Sequence, residues 1–449
     1  MSEIIYKNNE EYYTNDTNIE NLNALEFDEK VKIGNVSTPQ SSIAIGKNAG
    51  TTAQGIGTIS VGLNSGNDTQ GDYAIALGYE SGSITQQINA IAIGINCGRT
   101  VQGESGVSIG NGSGYIYQSD FGVAIGGNAG FQDQGNSGVA IGKISGFVNQ
   151  GDNSVAIGTN AGNSSQGNNS IAMGENAGQI SQSTNSIAIG SNTGALNQGS
   201  KCIAIGENAG ENTQDQNAVA IGKEAGQYFQ GLSCVAIGIV AGKTSQNDYA
   251  CAVGSNAGIN TQGYGACAFG FNSGSVTQGL FSCAYGSASG NNNQGDYSCA
   301  IGRSAGQFTQ GNYSVAIGFE TGRNYQGNNC VAIGTNAGKG GGSVGNAQNE
   351  YAIAIGYSAG ETNQNKSGIA IGNEAGKTNQ GADSIAIGTG AGITNQHTRT
   401  TVISSSNVPL NTGGTDRTYI SPLRGVAHGL GVGVVHWDST TKELTYSTN

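Results

Sequence analysis

Charge, proline and long apolar runs are all scarce in this chain, and each scarcity narrows what it can be. Lys, Arg, Asp and Glu make up 11% of 449 residues, the formal net charge is -12, and no basic run occurs. Nucleic-acid binding draws on a Lys/Arg footprint that displaces counterions, so no nucleic-acid partner is expected. No stretch approaches the roughly 20 apolar residues of a transmembrane helix, and membrane insertion is not expected. The N-terminal stretch, rich in Asn, Glu and Tyr, lacks the basic-then-apolar layout of a secretory leader. With Met1 in place, synthesis in a cytoplasm is expected. The eight cysteines contain no Cys-x-x-Cys pair, and histidine is confined to His397, His428 and His436, so zinc is not expected and no cofactor is implied. With 3 prolines and 78 glycines, composition alone would read as low complexity or disorder.

What is present argues against disorder. Every sixteen residues the chain repeats an aliphatic residue, Ala, an aliphatic residue, Gly, and a second Gly four positions later. The first clear copy is Ile43-Ala44-Ile45-Gly46 with Gly50, and the last is Ile385-Ala386-Ile387-Gly388 with Gly392. There are 22 copies, and each carries one Gln, from Gln54 to Gln396. A fixed period of this length signals a solenoid in which one repeat is one rung.

Alternation in Ser42-Ile43-Ala44-Ile45 is a strand signal, because successive side chains point to opposite faces. The glycines and the Asn48 position supply bends, since both tolerate φ > 0. Two strands and two bends use up sixteen residues, so the fold class is all-β: a parallel β-roll or β-solenoid of flattened 16-residue coils. Stacked at about 4.8 Å per rung, 22 coils give a rod on the order of 100 Å.

The two faces of the strand invite an assignment. The large residues (Ile43 and Ile45, Val155 and Ile157) are expected to fill the coil. The opposite face is Ala in 20 copies and Ser in two, Ser60 and Ser108. A face held so small is expected to pack against sister chains around a shared axis. This makes Ala44, Ala76, Ala92, Ala124, Ala156, Ala188 and Ala204 the expected trimer face. The Gln column (Gln54, Gln70, Gln86, Gln102, Gln118, Gln134) is expected to form an amide ladder, because rungs stack at hydrogen-bonding distance and a buried amide without partners costs roughly 1–3 kcal/mol. Cys251, Cys267, Cys283 and Cys299 replace the first aliphatic of four successive repeats; Cys202, Cys234 and Cys330 sit one residue earlier, and Cys97 precedes a second Gly. All are read as small buried hydrophobes.

The array spans 31–398, opening on a worn rung at Val31-Lys32-Ile33-Gly34. Its phase breaks once, at an insertion over 339–346 that includes Gly340-Gly341-Gly342, before Gln348 restores the register. Residues 1–30 are expected to cap an end or attach it to a base, since solenoid ends expose strand edges. Residues 399–449 leave the repeat and are expected to form a small β tip. Its strands are expected around Thr401–Ile403, Tyr419–Ser421, Val432–Trp437 and Leu444–Tyr446, with a turn at Ser439-Thr440-Thr441-Lys442.

The motifs Asn153-Ser154-Val155-Ala156-Ile157-Gly158 and Asn185-Ser186-Ile187-Ala188-Ile189-Gly190 resemble the head repeats of trimeric autotransporter adhesins of the YadA type. That resemblance implies a left-handed β-roll trimer with the Ala face toward the threefold axis. Rungs in that family are usually shorter, and no stalk or anchor barrel is evident here. Tyr419-Ile420-Ser421-Pro422-Leu423-Arg424 and Trp437-Asp438-Ser439-Thr440-Thr441-Lys442-Glu443-Leu444-Thr445-Tyr446 are similar to the tips of phage and large-DNA-virus fibre proteins. There, a self-cleaving chaperone often follows, which would be absent or already released here.

The expected function is a non-enzymatic structural or adhesive fibre, virion-associated or on an extracellular surface. It would form a homotrimer that displays a tip to a host receptor or glycan and rests on a virion base protein. The alternatives are a solenoid that binds or degrades polysaccharide, or a bacterial adhesin head. Glycoside hydrolysis needs two carboxylates about 5–9.5 Å apart, whereas Asp72, Glu104, Asp120, Asp152, Glu207 and Glu224 do not recur as a pair. An ice-binding array would need regular Thr, and the position before Gln runs Ala53, Thr69, Thr85, Val101, Tyr117, Asp133. The calcium nonapeptide of β-helix repeats is also missing.

Overall fold

Each coil of the computed structural model is two short strands joined by two bends, wound so that equivalent residues of successive coils pair in register. The structure describes residues 42–343, 347–406 and 408–422, together with the backbone of strands 3–7, 10–14, 31–33, 434–437 and 444–447. No helix occurs among the described residues. The longer strand is the aliphatic–Ala–aliphatic triplet. Val123, Ala124 and Ile125 pair in parallel with Val139, Ala140 and Ile141, sixteen residues on, and these pair with Val155, Ala156 and Ile157. The shorter strand ends on the repeat glutamine, with Gln118 opposite Gln134 and Gln134 opposite Gln150. This is the expected parallel β-solenoid.

The bend after the long strand depends on glycine. Gly94 has φ 134°, and a Cβ there would stand 2.6 Å from the Gly110 carbonyl oxygen of the next coil. Asn48 and Gly50 then turn the chain back with φ 58° and 55°, a left-handed conformation that Asn and Gly adopt at low steric cost.

The interior reverses the expected assignment of faces. Ala44 is 2% exposed whereas Ile43 and Ile45 are each 36% exposed. Ala76, Ala92, Ala124, Ala156, Ala188 and Ala204 are likewise fully buried within a single chain. The alanines fill the coil, so they are not a trimer face, and the aliphatic columns point outward. The reason is thickness. A Cβ built on Gly50 would lie 3.0 Å from the Gln54 amide and 3.4 Å from the Ala44 methyl. Two sheets this close leave room for one methyl opposite a glutamine and none for Ile. Close packing then forces the larger parity of each strand outside.

The chain divides into two compact units, Met1–Asn197 and Gln198–Asn449. In the first, Glu3–Lys7 and Glu10–Thr14 form an antiparallel pair, and Val31–Ile33 pairs with Ile43–Ile45 as the opening rung. Ten further long strands run from Ile43–Ile45 to Ile187–Ile189.

The second unit holds twelve long strands, from Ile203–Ile205 to Ile385–Ile387. Val331 pairs with Ile353 across the insertion, so six extra residues leave the ladder intact; residues 344–346 lie outside the described residues. The ladder does not stop at 398. Thr401–Ser404 stacks on Ile385–Ile387, and Thr418–Ser421 stacks on Thr401–Ser404, with Val402 buried against Ala386 and Ala391. Val434–Trp437 and Leu444–Ser447 form an antiparallel pair; the turn expected at 439–442 lies outside the described residues. No described side chain shows what residues 1–30 cover.

Candidate functional site

Three columns carry chemistry: the glutamines inside, the aliphatic residues outside, and a row of aromatic residues at the bend before the long strand. The glutamines form the expected ladder. Gln70 Nε2 donates to Gln86 Oε1 at 3.0 Å, and Gln86 Nε2 donates to Gln102 Oε1 at 3.1 Å. The same nitrogen crosses the coil to backbone carbonyls: Gln86 reaches Ile75 O at 2.8 Å and Ala90 O at 3.2 Å. Where the ladder is continuous, each amide therefore ties the two sheets of its own coil and links that coil to the next. Gln118 continues to Gln134, and Gln134 to Gln150. Gln54 departs from expectation, because its Nε2 turns to Gly66 O at 2.8 Å.

The ladder has interruptions, and they explain the two serines of the alanine column. Gln70 Oε1 and Gln118 Oε1 receive the hydroxyls of Ser60 at 2.7 Å and Ser108 at 2.8 Å. Those serines supply the proton that the preceding glutamine directs elsewhere. At Gln166, Gln294, Gln364 and Gln396 the rung carries alanine instead, and each Oε1 is buried without a donor. Sequence reading noticed both serines without seeing their purpose, because the partner atom becomes visible only once the coil is closed.

The outward face is the feature that sequence reading misplaced. Its two columns run along ten strands in the first unit and twelve in the second. At about 4.8 Å per rung and about 7 Å between columns, the columns span roughly 340 Å² in the first unit and roughly 400 Å² in the second. An apolar patch of that size equals the largest one on an ordinary monomer, which is often functional. The cysteines divide accordingly. Cys97, Cys202, Cys234 and Cys330 are buried as expected, whereas Cys251, Cys267, Cys283 and Cys299 are only half-buried on the outward face. Burial pushes the Cys97 thiol up to about 12 and the Cys202 thiol up to about 11, so both stay protonated near neutrality. Cys202, Cys234 and Cys330 donate to the carbonyls of Asp215, Asn247 and Asn349 at 2.7, 2.8 and 2.9 Å.

At the bend, Tyr249, Tyr264, Phe281, Tyr297 and Tyr313 form a row with ring centroids 5.2–5.4 Å apart. All are exposed. Gly265 interrupts the sixteen-residue spacing, and Tyr264 from the adjacent position closes the gap against Phe281. The spacing of 281, 297 and 313 was legible in the sequence and went unused.

The acids serve the stack. Asp72, Asp120 and Asp152 each accept, through Oδ1, the backbone N–H of the residue sixteen positions earlier, at 2.8–2.9 Å. Glu207 pairs with Lys223 at 3.2 Å and Glu224 with Lys243 at 2.7 Å. A shallow recess of about 290 Å³ lies between Asp215, Phe229 and Asp248. Among the described residues no group of three His, Cys, Asp or Glu side chains is placed to hold a metal. His397 Nδ1 lies 2.7 Å from Thr412 Oγ1; His428 lies outside the described residues, as does the side chain of His436.

No family model, curated protein or solved structure matches this chain.

Proposed function

We propose that the chain is a structural or adhesive fibre subunit that assembles with copies of itself, as a homotrimer, through the outward aliphatic face. The observation that carries this reading is the inversion of the strand. Ile and Val occupy the solvent side for rung after rung while the interior of the described repeats takes Ala, Gly, Ser, Thr, Cys and Gln. The two columns span roughly 340–400 Å² in each unit, against about 800 Å² per partner in a standard interface. Closed cyclic symmetry is the usual solution for a repeated patch, and the resemblance to trimeric adhesin heads supports three copies. The similarity of the C-terminal segments to viral fibre tips supports a virion-associated spike that meets a host surface, and the exposed aromatic row supports a glycan as that surface.

Light scattering of the purified chain tests the assembly. Three chains per particle are expected, and Val139→Glu, Val155→Glu and Ile171→Glu together are expected to release monomers that keep their β signal. A wild-type monomer at micromolar concentration would remove this reading.

A further inference from the structure

The four cysteines of the outward face are a cluster of nucleophilic side chains that a fibre does not need. Cys251 pairs in register with Cys267, Cys267 with Cys283, and Cys283 with Cys299. Four free thiols therefore stand on successive rungs, on one side of one sheet, and all are half-buried. Rungs stack at about 4.8 Å, inside the roughly 4.4–6.8 Å between Cα atoms that a disulfide spans. The other four cysteines are placed differently. Cys202 and Cys234 are two rungs apart, about 9.6 Å, and a gap above about 7 Å forbids a bridge. Cys97 stands between Ser81 and Ser113 in its column, and Cys330 between Ser314 and Ala352.

The outward thiols are also less tied to the main chain. Cys267 lies 4.0 Å from the Gly265 carbonyl, against 2.7–2.9 Å for the three buried donors. Within the column they are not equivalent. Burial pushes Cys251 up to about 11 and raises Cys267 as well. Hydrogen bonding from the Cys283 thiol brings Cys299 down to about 7, and the same bond, with burial, raises Cys283. Near neutral pH the end of the column thus pairs a thiolate with a protonated thiol on the adjacent rung. A partly exposed thiolate is the nucleophile of thiol–disulfide exchange. Cys299 has one cysteine neighbour, because the next rung carries Val315.

We propose that Cys283 and Cys299 form a dithiol site that reacts with a small-molecule disulfide and closes into an intrachain disulfide between two successive rungs. The Cys299 thiolate attacks one sulfur of the disulfide RSSR, its S–S bond breaks, and RS⁻ leaves a mixed disulfide on Cys299. Cys283 then loses its proton, and its thiolate displaces the second RS⁻ as the bond between Cys283 and Cys299 forms. The proton of Cys283 and the one that Cys299 had released to solvent end on the two RS⁻ groups. Two cysteine thiols are oxidised, and one RSSR is reduced to two RSH. The product staples one coil to the next covalently, beside the main-chain ladder and the glutamine amides, and so restrains the unfolded chain. It also replaces an ionisable thiol on an otherwise apolar column with an uncharged link. Both sulfurs belong to one chain, so the site does not depend on self-association.

The test treats the reduced full chain with oxidised glutathione near neutral pH, beside the variant carrying Val139→Glu, Val155→Glu and Ile171→Glu, whose outward face is open. Chymotrypsin cleavage after Tyr285 and Tyr297 separates the two cysteines, and non-reducing mass spectrometry reads the links. A Cys283–Cys299 link is expected as the main product in one or both chains, with Cys97, Cys202, Cys234 and Cys330 still free. Cys283→Ser is expected to stop at a mixed disulfide on Cys299, and Cys299→Ser to slow glutathione release at least tenfold. Far-UV circular dichroism checks that both variants fold. A measurement without substitution accompanies them: limiting iodoacetamide is expected to label Cys299 at least tenfold faster than Cys97. Retention of all eight thiols in both chains, a main link between Cys267 and Cys283, or a link between two chains would each overturn the site. So would equal labelling of Cys299 and Cys97. None of these readouts scores the number of chains per particle, so the dithiol site and the proposed trimer fail separately.

Discussion

The inner and outer faces of one three-residue strand obey opposite rules, and the contrast shows what repetition means in a thin solenoid. On the inner face, Ala124 and Ala140 lie fully buried and the Gln134 amide stands close to Ala124 across the bend glycine Gly130. On the outer face, Val123 and Val139 are half-exposed and vary freely with Ile, Leu, Met, Cys, Phe and Tyr in other rungs. The inner column is constant because the gap between the sheets is fixed by a hydrogen-bonded amide. The outer column is constant only in being apolar.

The contrast breaks first at the bend that holds the sheets together. Gly94→Ala places a Cβ 2.6 Å from the Gly110 carbonyl at a φ of 134°, and is expected to cost at least ~3 kcal/mol. The measurement is the denaturant midpoint, and an unchanged midpoint would contradict the close approach of successive coils.

A matched pair of substitutions addresses the faces directly. Ala140→Leu is expected to destabilise by about 1–3 kcal/mol through overpacking. Val139→Leu, one residue away and facing out, is expected to lie within about 0.5 kcal/mol of wild type in conditions that keep the chain monomeric. Equal effects would mean that the two faces are not distinguished by packing.

The ladder interruptions sharpen the comparison further. Ser108→Ala removes the donor to Gln118 Oε1 and is expected to cost about 1–2 kcal/mol. Ala284→Ser, placed where Gln294 Oε1 lacks a donor, is expected to stabilise by roughly 0.5–1 kcal/mol. Opposite signs in parallel melts would support the account; equal signs would remove it.

A last, pH-dependent effect lies on the exterior. Glu320 is held below the ordinary carboxylate range, first by its hydrogen bond from Lys339 and also by Arg323 and Arg303. A depressed folded pKa gives stability that is present above the unfolded value and lost as pH falls through the folded one. Glu320→Gln is therefore expected to cost up to about 1 kcal/mol near pH 7. The difference from wild type should close as pH is lowered below about 4.

Legibility followed the same divide. The Gln column could be read because a ladder depends only on stacking, and stacking follows from the period. The bends could be read because Gly46 and Gly50 hold φ values of 127° and 55° that few other residues adopt. Ser60 and Ser108 were visible as exceptions but lacked a partner until Gln70 and Gln118 were placed opposite them. The tip boundary was set by the loss of the motif at 398, yet backbone pairing carried the ladder to Ser421 with different side chains. Pairing uses main-chain groups and does not need the motif to continue.

From sequence alone, the sixteen-residue coil, its parallel stacking, its bends and its amide ladder were determined, because each rests on spacing and on what single residues allow. Which side of the strand is inside was decided only by the closed coil. Alternation divides residues between two faces without saying which face is which, and the distance between the sheets, set by a glutamine reaching across to a carbonyl, admits a methyl or hydroxymethyl group opposite that glutamine and leaves no room for Ile.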